Sequence, residues 1–240
     1  MWHGVSGDAR AKEACLHALK LGYKLVDTAQ YYGNEADARA LLYPDEHAEL
    51  RAEYTATDAF AHAKVVARAL RAEFPEKSVY MYAYHLTQKP PKQTRPEPGL
   101  IVWFGPINAS FSKPLTHPRN RRWHDDLLEW LELSDRVYLY DYPDNVTYQM
   151  IPHPNLYALA ENVRWCAEQG VTGYYGDGIL SSTGGTEMAE LRAWMVAKLL
   201  WDPTRDPRGL IREFTNGYFG PAGPHIHAYL DEIHHAVEKT

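Results

Sequence analysis

Two aspartates, Asp141 and Asp177, have the residue type and the position that catalysis by carboxyl groups would require. Each is predicted to follow a strand, in the segments YLYDY and TGYYGDG. One carboxyl group of such a pair can protonate a leaving oxygen while the other stabilises or attacks the cationic carbon, as cleavage of a glycosidic bond requires. The sequence predicts no other carboxylates in position to form such a pair. The alternative is that each aspartate caps its loop through an Asx turn.

The aromatic composition suggests that Tyr and Trp side chains form a binding surface for the substrate of these carboxylates. The chain has 17 Tyr and 7 Trp but only 6 Phe. Tyr and Trp combine an apolar ring face with a polar tip, which suits stacking on a sugar or a base together with hydrogen bonding. The alternative is that the tyrosines fill a half-wet core. The residues predicted to bind substrate are Tyr84, His85, Trp103, Asn108, Tyr142 and Tyr175.

The elements that position these residues follow from the periodicity of apolar residues and from the Gly and Pro residues between them. The predicted strands are Tyr23 to Thr28, Ser78 to His85, Leu100 to Phe104, Arg136 to Tyr142, and Val171 to Tyr175. The predicted helices are Ala9 to Leu21, Asp58 to Phe74, Trp123 to Leu133, Leu156 to Gln169, Glu187 to Leu200, Arg208 to Thr215, and Pro224 to Glu238.

Strands that alternate with helices predict an α/β fold with parallel strands, here part of a (β/α) barrel. A complete eight-stranded barrel usually needs about 250 residues, so the 240 residues of this chain make a whole barrel a tight fit. The residues that follow the strands would form one rim, where active sites are built. An open partial barrel exposes two strand edges, and a homodimer is one way to cover them.

Composition excludes several classes of function. Hydrophobic residues make up 45% of the chain and charged residues 23%, as in ordinary globular proteins. The net charge of −6 comes without a long basic run, so no nucleic-acid partner is expected. No apolar run is long enough to cross a membrane, and the amino terminus lacks the features of a signal peptide, so a cytoplasmic location is expected for the chain as written.

Four motifs between Thr57 and Leu230 carry a resemblance to a known family. They are FPEKSVYMYAYHLTQKPPK, YLYDYPDNVTYQMIPHPN, EMAELRAWMVAKLLWDP and FTNGYFGPAGPHIHAYL. In this order they resemble the carboxyl-terminal half of a bacterial domain family of unknown function, which is associated with barrel enzymes similar to endo-β-N-acetylglucosaminidases. The resemblance implies a glycoside hydrolase-like half-barrel over residues 54–240 and a glycan ligand that contains N-acetylglucosamine.

The chain departs from the pattern of that family at two positions. Asn108 stands where the family often has an acidic residue, and Tyr175-Gly176-Asp177-Gly178 stands where it commonly has Phe-Glu-Gln-Gly. Members also carry an upstream half-barrel, whereas fewer than about sixty residues precede Tyr54 here. The resemblance therefore implies a truncated and weakly active enzyme, or a remnant that binds glycan without turnover.

The first 50 residues resemble a different family. The segment from Trp2 through KLGYKLVDTAQYYGNEADARALL is similar to the opening of an aldo-keto reductase. That resemblance implies catalytic roles for Asp27 and Tyr32, with His85 as the histidine of the site and a nicotinamide cofactor. Thr57-Asp58 stands where the reductases have their lysine, and no phosphate-binding motif is found. The glycoside hydrolase interpretation requires no cofactor, so we expect none.

The carboxyl-terminal segment contains a cluster of histidines. His227, Asp231 and His234 or His235 have a helical spacing that could bind zinc, but a solvent-facing terminal helix explains the same spacing better. We therefore expect no metal site.

Overall fold

A computed structural model describes residues 25–26, 56–84, 87–92, 94–145, 151–177 and 187–239 of the chain. The strands are β1 (Leu25–Val26), β2 (Ser78–Ala83), β3 (Leu100–Phe104), β4 (Val137–Asp141) and β5 (Gly173–Gly176). The helices are α1 (Ala56–Glu73), α2 (Arg121–Leu133), α3 (Leu156–Glu168), α4 (Ala189–Trp201), α5 (Pro207–Phe219) and α6 (Gly223–Glu238).

The predicted elements of the described residues are confirmed, with shifts at their ends. Gly170 follows α3 with a φ of 89°, a left-handed conformation that glycine adopts without steric cost, and so ends that helix as predicted. Helix α2 begins earlier than predicted because a 3₁₀ turn, Pro118–Asn120, leads into it. The predicted helix Ala9 to Leu21 lies outside the described residues.

The five strands form one sheet in which hydrogen-bonded neighbours follow the chain order, β1-β2-β3-β4-β5. The pairings of β1 with β2 and of β2 with β3 are parallel. Parallel neighbours need crossover connections, and α1 supplies one between β1 and β2. The predicted α/β class is therefore confirmed, as a mixed α/β fold with a parallel sheet.

The chain divides into two compact units. The amino-terminal unit is made of the described residues within Met1–Gly105 together with Glu129–Tyr138, and the carboxyl-terminal unit is made of Pro106–Leu128 and the described residues from Leu139 onward. The residues predicted to act on a glycan are divided between the two units.

In the amino-terminal unit, α1 packs against β2. Val79, Met81 and Ala83 of β2 are buried, and they alternate with tyrosines on the other face of the strand. On that face the rings of Tyr82 and Trp103 are stacked, with centroids 5.5 Å apart. Aromatic pairs of this kind contribute about 0.5–1.5 kcal/mol beyond the area that they bury.

In the carboxyl-terminal unit, helices α3 to α6 enclose one apolar cluster. Tyr174 of β5 packs against this cluster. Each fully buried Leu or Met side chain contributes about 1.5–3 kcal/mol through removal of apolar surface from water. The cluster consists of Leu156, Ala160, Val163, Leu191, Met195, Leu199, Leu210, Ile211 and Leu230.

A histidine of α6 caps the amino terminus of α3. The Nε2 atom of His234 accepts a hydrogen bond of 3.0 Å from the Leu156 N–H, and its Nδ1 lies 2.7 Å from the Leu230 carbonyl oxygen. This geometry requires a neutral ring with its proton on Nδ1. Asn155 precedes the helix but makes no side-chain capping bond. His234 therefore satisfies a backbone donor that would otherwise be buried and unpaired.

We predict that His234→Leu lowers the free energy of unfolding by about 1–2 kcal/mol at pH 8, because the cap is lost. Burial and the charge of Arg192 lower the pKa of His234 below 6.5. The unfolded chain therefore takes up the proton first, and the stability conferred by His234 declines as the pH falls below 6.5. Urea denaturation at pH 8 and pH 5.5 should show a smaller acid-induced loss for the variant. His235→Leu, at the exposed neighbouring position, is the control, and equal losses in both variants would contradict the capping role.

Candidate functional site

The carboxyl ends of β4 and β5 lie side by side in the carboxyl-terminal unit. The Asp177 N–H donates a hydrogen bond of 2.9 Å to the Asp141 carbonyl oxygen. The two aspartates predicted from the sequence are therefore neighbours in the structure. Their catalytic roles remain predictions.

The side chain of Asp141 lies on the buried face of β4. Along β4 the side chains alternate, so that Val137, Leu139 and Asp141 are buried while Tyr138 and Tyr140 are half-buried on the other face. The charge of Asp141 also contributes to the raised pKa of Cys166 on α3, after the larger effect of burial. Asp141 thus lies on the opposite face of β4 from Tyr138 and Tyr140.

The carboxylate of Asp141 is already engaged within the protein. One oxygen accepts a hydrogen bond of 2.9 Å from the Tyr142 N–H, and the other accepts one of 3.0 Å from the Tyr174 hydroxyl. Burial raises the pKa of Asp141, and these two hydrogen bonds oppose the rise. The residue thus links the side chains of β4 and β5, which is a positioning role.

The other face of these strands carries an aromatic patch, which we define as Phe111, Tyr140, Tyr142 and Tyr175. The ring centroids of Tyr140 and Tyr175 lie 4.8 Å apart, and those of Tyr140 and Tyr142 lie 5.3 Å apart. Phe111 lies 5.5 Å from Tyr142. Tyr175 is 44% exposed. The patch could therefore offer a ring face to a sugar.

The other residues predicted to bind substrate are Tyr84, Trp103, Asn108 and His85. Trp103 and Tyr84 belong to the amino-terminal unit, where Tyr82 stacks on Trp103 and lies 6.3 Å from Tyr84. Asn108 has a φ of 66°, a left-handed conformation that Asn tolerates better than most residues. This backbone conformation explains why an asparagine occupies the position. His85 and the reductase candidates Asp27 and Tyr32 lie outside the described residues.

A buried arginine of α4 organises the loops beyond β4. Arg192 is fully buried. Its Nε donates to the Glu187 carbonyl oxygen, and its Nη1 donates to the Pro143 carbonyl oxygen and to Asn155 Oδ1. Its Nη2 donates to the His153 carbonyl oxygen and to Glu187 Oε2. A guanidinium has five N–H donors, so every donor of Arg192 is used within the protein.

Polar atoms without partners surround this arginine. Among the described residues, both carboxylate oxygens of Asp144, the Nε2 atom of His153 and the Oε1 atom of Glu187 are buried and have no hydrogen bond of normal geometry. Native proteins contain few such atoms, and a catalytic role is one explanation for them. We name Arg192, Asp144, His153, Asn155 and Glu187 the Arg192 cluster.

The electrostatics of the cluster follow from burial. Burial raises the pKa of Asp144, and the nearby charge of Asp177 adds to the rise, while the Arg192 charge and the Asn145 N–H oppose it. Burial and the Arg192 charge lower the pKa of His153 to about 4. The cluster therefore contains a carboxyl group that keeps its proton to a higher pH than usual and a histidine that stays neutral.

The sequence analysis did not include Asp144, which follows the end of β4 three residues after Asp141. One signal in the sequence could have revealed the cluster. Arg192 stands among the apolar positions of ELRAWMVAKLL, where a charge must find buried partners.

The histidines near the carboxyl terminus do not converge on a metal. Within the part of the chain that the structure describes, no group of three or more His, Cys, Asp or Glu side chains could hold a metal ion. His227 instead pairs with Asp231 at 3.4 Å, and His235 pairs with Glu238 at 3.5 Å. Among the described residues, no helix is both long enough and apolar enough to cross a membrane.

Comparison with known proteins identifies one family. A family model described as a domain of unknown function, DUF4838, matches residues 44–231. No curated protein matches the chain, and no solved structure matches it. The comparisons therefore do not show the similarity to endo-β-N-acetylglucosaminidases or to aldo-keto reductases.

We predict that Arg192→Lys lowers the free energy of unfolding by about 3 kcal/mol or more, because an ammonium has three donors and cannot reproduce the planar set of five. Several buried carbonyl groups and Glu187 would lose a partner. Urea denaturation of the wild type and the variant measures the change. Arg212→Lys, at an exposed position of α5, is the matched control and should change stability by less than about 0.5 kcal/mol. Similar stabilities for all three proteins would contradict the organising role of Arg192.

Proposed function

Because this chain belongs to the DUF4838 family, whose description leaves function open, we propose from its site that it is a glycoside hydrolase-like protein. Its proposed ligands are glycans that contain N-acetylglucosamine. The observation that carries the proposal is the hydrogen bond from the Asp177 N–H to the Asp141 carbonyl oxygen, which joins the carboxyl ends of β4 and β5, so that Asp144 and Asp177 both follow the same edge of the sheet. The aromatic patch ends in Tyr142 and Tyr175, each two residues before one of these aspartates.

In this proposal the aromatic patch binds the sugar ring. The axial C–H groups of a pyranose form an apolar face that packs on an aromatic ring, and tyrosine adds a hydroxyl group for hydrogen bonding. Tyr175 is the most exposed member of the patch, with 44% of its surface accessible. Its ring is held by Tyr140 at a centroid distance of 4.8 Å, so little side-chain freedom would be lost on binding.

Asp144 is the proposed proton donor. A general acid must keep its proton near the working pH, and burial raises the pKa of Asp144 in this direction. Asp144 would give its proton to the glycosidic oxygen as the bond from that oxygen to the anomeric carbon breaks.

Asp177 is the proposed second carboxylate. Its negative charge would stabilise or attack the positive charge that develops on the sugar ring when the bond breaks. Asp141, which lies on the buried face of β4, would act by holding β4 and β5 in place. This division of roles keeps both aspartates of the sequence prediction in the site and adds Asp144 as the acid.

We also propose that the sheet is part of a (β/α) barrel. Each strand has its neighbours in chain order, which is the arrangement of a barrel and differs from that of a doubly wound sheet. Barrel enzymes carry their active sites beyond the carboxyl ends of the strands. Asp144 and Asp177 both follow such ends.

We predict that the protein releases N-glycan from a denatured glycoprotein, and that Asp144→Asn and Asp177→Asn each lower the rate at least about 100-fold, because neither amide can replace the carboxyl group. Mass spectrometry of the released glycan measures the rate. Asp141→Asn should keep most of the activity.

Asp135→Asn, at an exposed position of the same chain, is the control and should leave the rate unchanged. Thermal melting of each variant would show that the fold is retained. If the wild type released no glycan, or if Asp144→Asn and Asp177→Asn retained full activity, the proposal would be wrong.

A further inference from the structure

Asn155 stands directly before α3, at the position where an asparagine usually caps a helix with its side chain. Its carbonyl oxygen accepts the first helical hydrogen bond, of 2.8 Å, from the Leu159 N–H. Its side chain makes no capping bond, and the Leu156 N–H binds His234 instead. Only 3% of the surface of Asn155 is exposed. A buried amide group that does not cap its helix must have other partners.

The amide group of Asn155 connects the loop after β4 with Arg192. The Nδ2 atom donates a hydrogen bond of 3.0 Å to the Pro143 carbonyl oxygen, and the Oδ1 atom accepts one from the Nη1 atom of Arg192. The same Nη1 atom donates to the Pro143 carbonyl oxygen at 3.2 Å. The Pro143 carbonyl group therefore receives two donors, which uses both of its lone pairs, and the two donating side chains also bind each other.

Two donors on this carbonyl oxygen restrain the peptide unit that leads into Asp144. Because a peptide bond is planar, the Pro143 carbonyl group and the Cα atom of Asp144 lie in one plane and move together. A single hydrogen bond would leave this plane free to pivot about the oxygen, whereas two donors restrain it. On the other side, the ring of Pro143 fixes its own φ, and the Tyr142 N–H binds Asp141 at 2.9 Å. The backbone from Tyr142 to Asp144 is therefore restrained at every step.

We infer that Asn155 is a positioning residue for the proposed acid, because its amide group holds the peptide unit between Pro143 and Asp144 in the orientation that glycosidic cleavage requires. This inference rests on the proposed function, in which Asp144 protonates the glycosidic oxygen. It deepens that function, since a displacement of about 1 Å can lower a catalytic rate by about 100-fold. Asn155 acts through the backbone and not on the sugar.

Two substitutions separate the bonds of Asn155. Asn155→Asp tests the donor alone, because an ionised carboxyl group still accepts the Arg192 bond but has no N–H for the Pro143 carbonyl oxygen. Asn155→Ala removes both bonds without adding a charge. In both variants kcat for N-glycan release should fall at least about tenfold while KM stays within about twofold, because the aromatic patch that binds the sugar is unchanged. Initial rates over a range of glycoprotein concentrations give both constants.

Hydrogen–deuterium exchange, followed by mass spectrometry, distinguishes positioning from helix capping. The amide hydrogens of residues 142–145 should exchange at least about tenfold faster in both variants, because the loop opens more easily. The first turn of α3 should exchange as in the wild type, because His234 still caps it. Asn162→Asp is the matched control, since it makes the same change at another buried asparagine of α3, whose Oδ1 accepts the Leu115 N–H. It should leave kcat and the exchange of the loop unchanged.

Thermal melting shows whether each variant is folded. If both Asn155 variants kept the wild-type kcat and loop exchange, or if exchange became faster only in α3, this inference would be overturned, while N-glycan release by the wild type would leave the proposed function standing. If the wild type released no N-glycan, the proposed function would fall, and the positioning role in catalysis would fall with it.

Discussion

The buried guanidinium of Arg192 is the interaction on which the rest of the site depends. Transfer of this charge from water to the interior is costly, and the cost is offset only because five donors find acceptors in the loop after β4, before α3 and before α4. Those bonds fix the backbone at Pro143, next to Asp144. The position of the proposed acid, Asp144, therefore depends on the hydrogen bond that Arg192 donates to the Pro143 carbonyl oxygen.

Much of the fold could be predicted from local patterns. Helix α1 was predicted from the spacing of its apolar residues and from Pro75 beyond its end, and the end of α3 was predicted from Gly170. The observed ends of α1 (Ala56–Glu73) and of β3 (Leu100–Phe104) lie close to the predicted ends. These signals are local, because the backbone limits of proline and glycine and the period of a helix act within a few residues.

The site was harder to predict because it depends on which face of a strand each residue occupies. The position of Asp141 at the end of β4 was predicted, but the alternation of the strand places its side chain on the buried face, where it accepts a hydrogen bond from the Tyr174 hydroxyl of β5. The backbone next to Asp144 is fixed by hydrogen bonds from Arg192, which lies 48 positions later in the chain. A single sequence does not reveal that tertiary pairing, although a charge among apolar positions signals that some pairing must exist.

The most direct measurement is a crystal structure of the full chain bound to an N-acetylglucosamine oligosaccharide. The account predicts a sugar ring against Tyr175, the glycosidic oxygen about 2.6–3.2 Å from a carboxylate oxygen of Asp144, and the hydrogen bonds of Arg192 unchanged. A sugar bound away from Asp144 and Asp177, or a guanidinium that releases its protein partners to bind the ligand, would contradict the account.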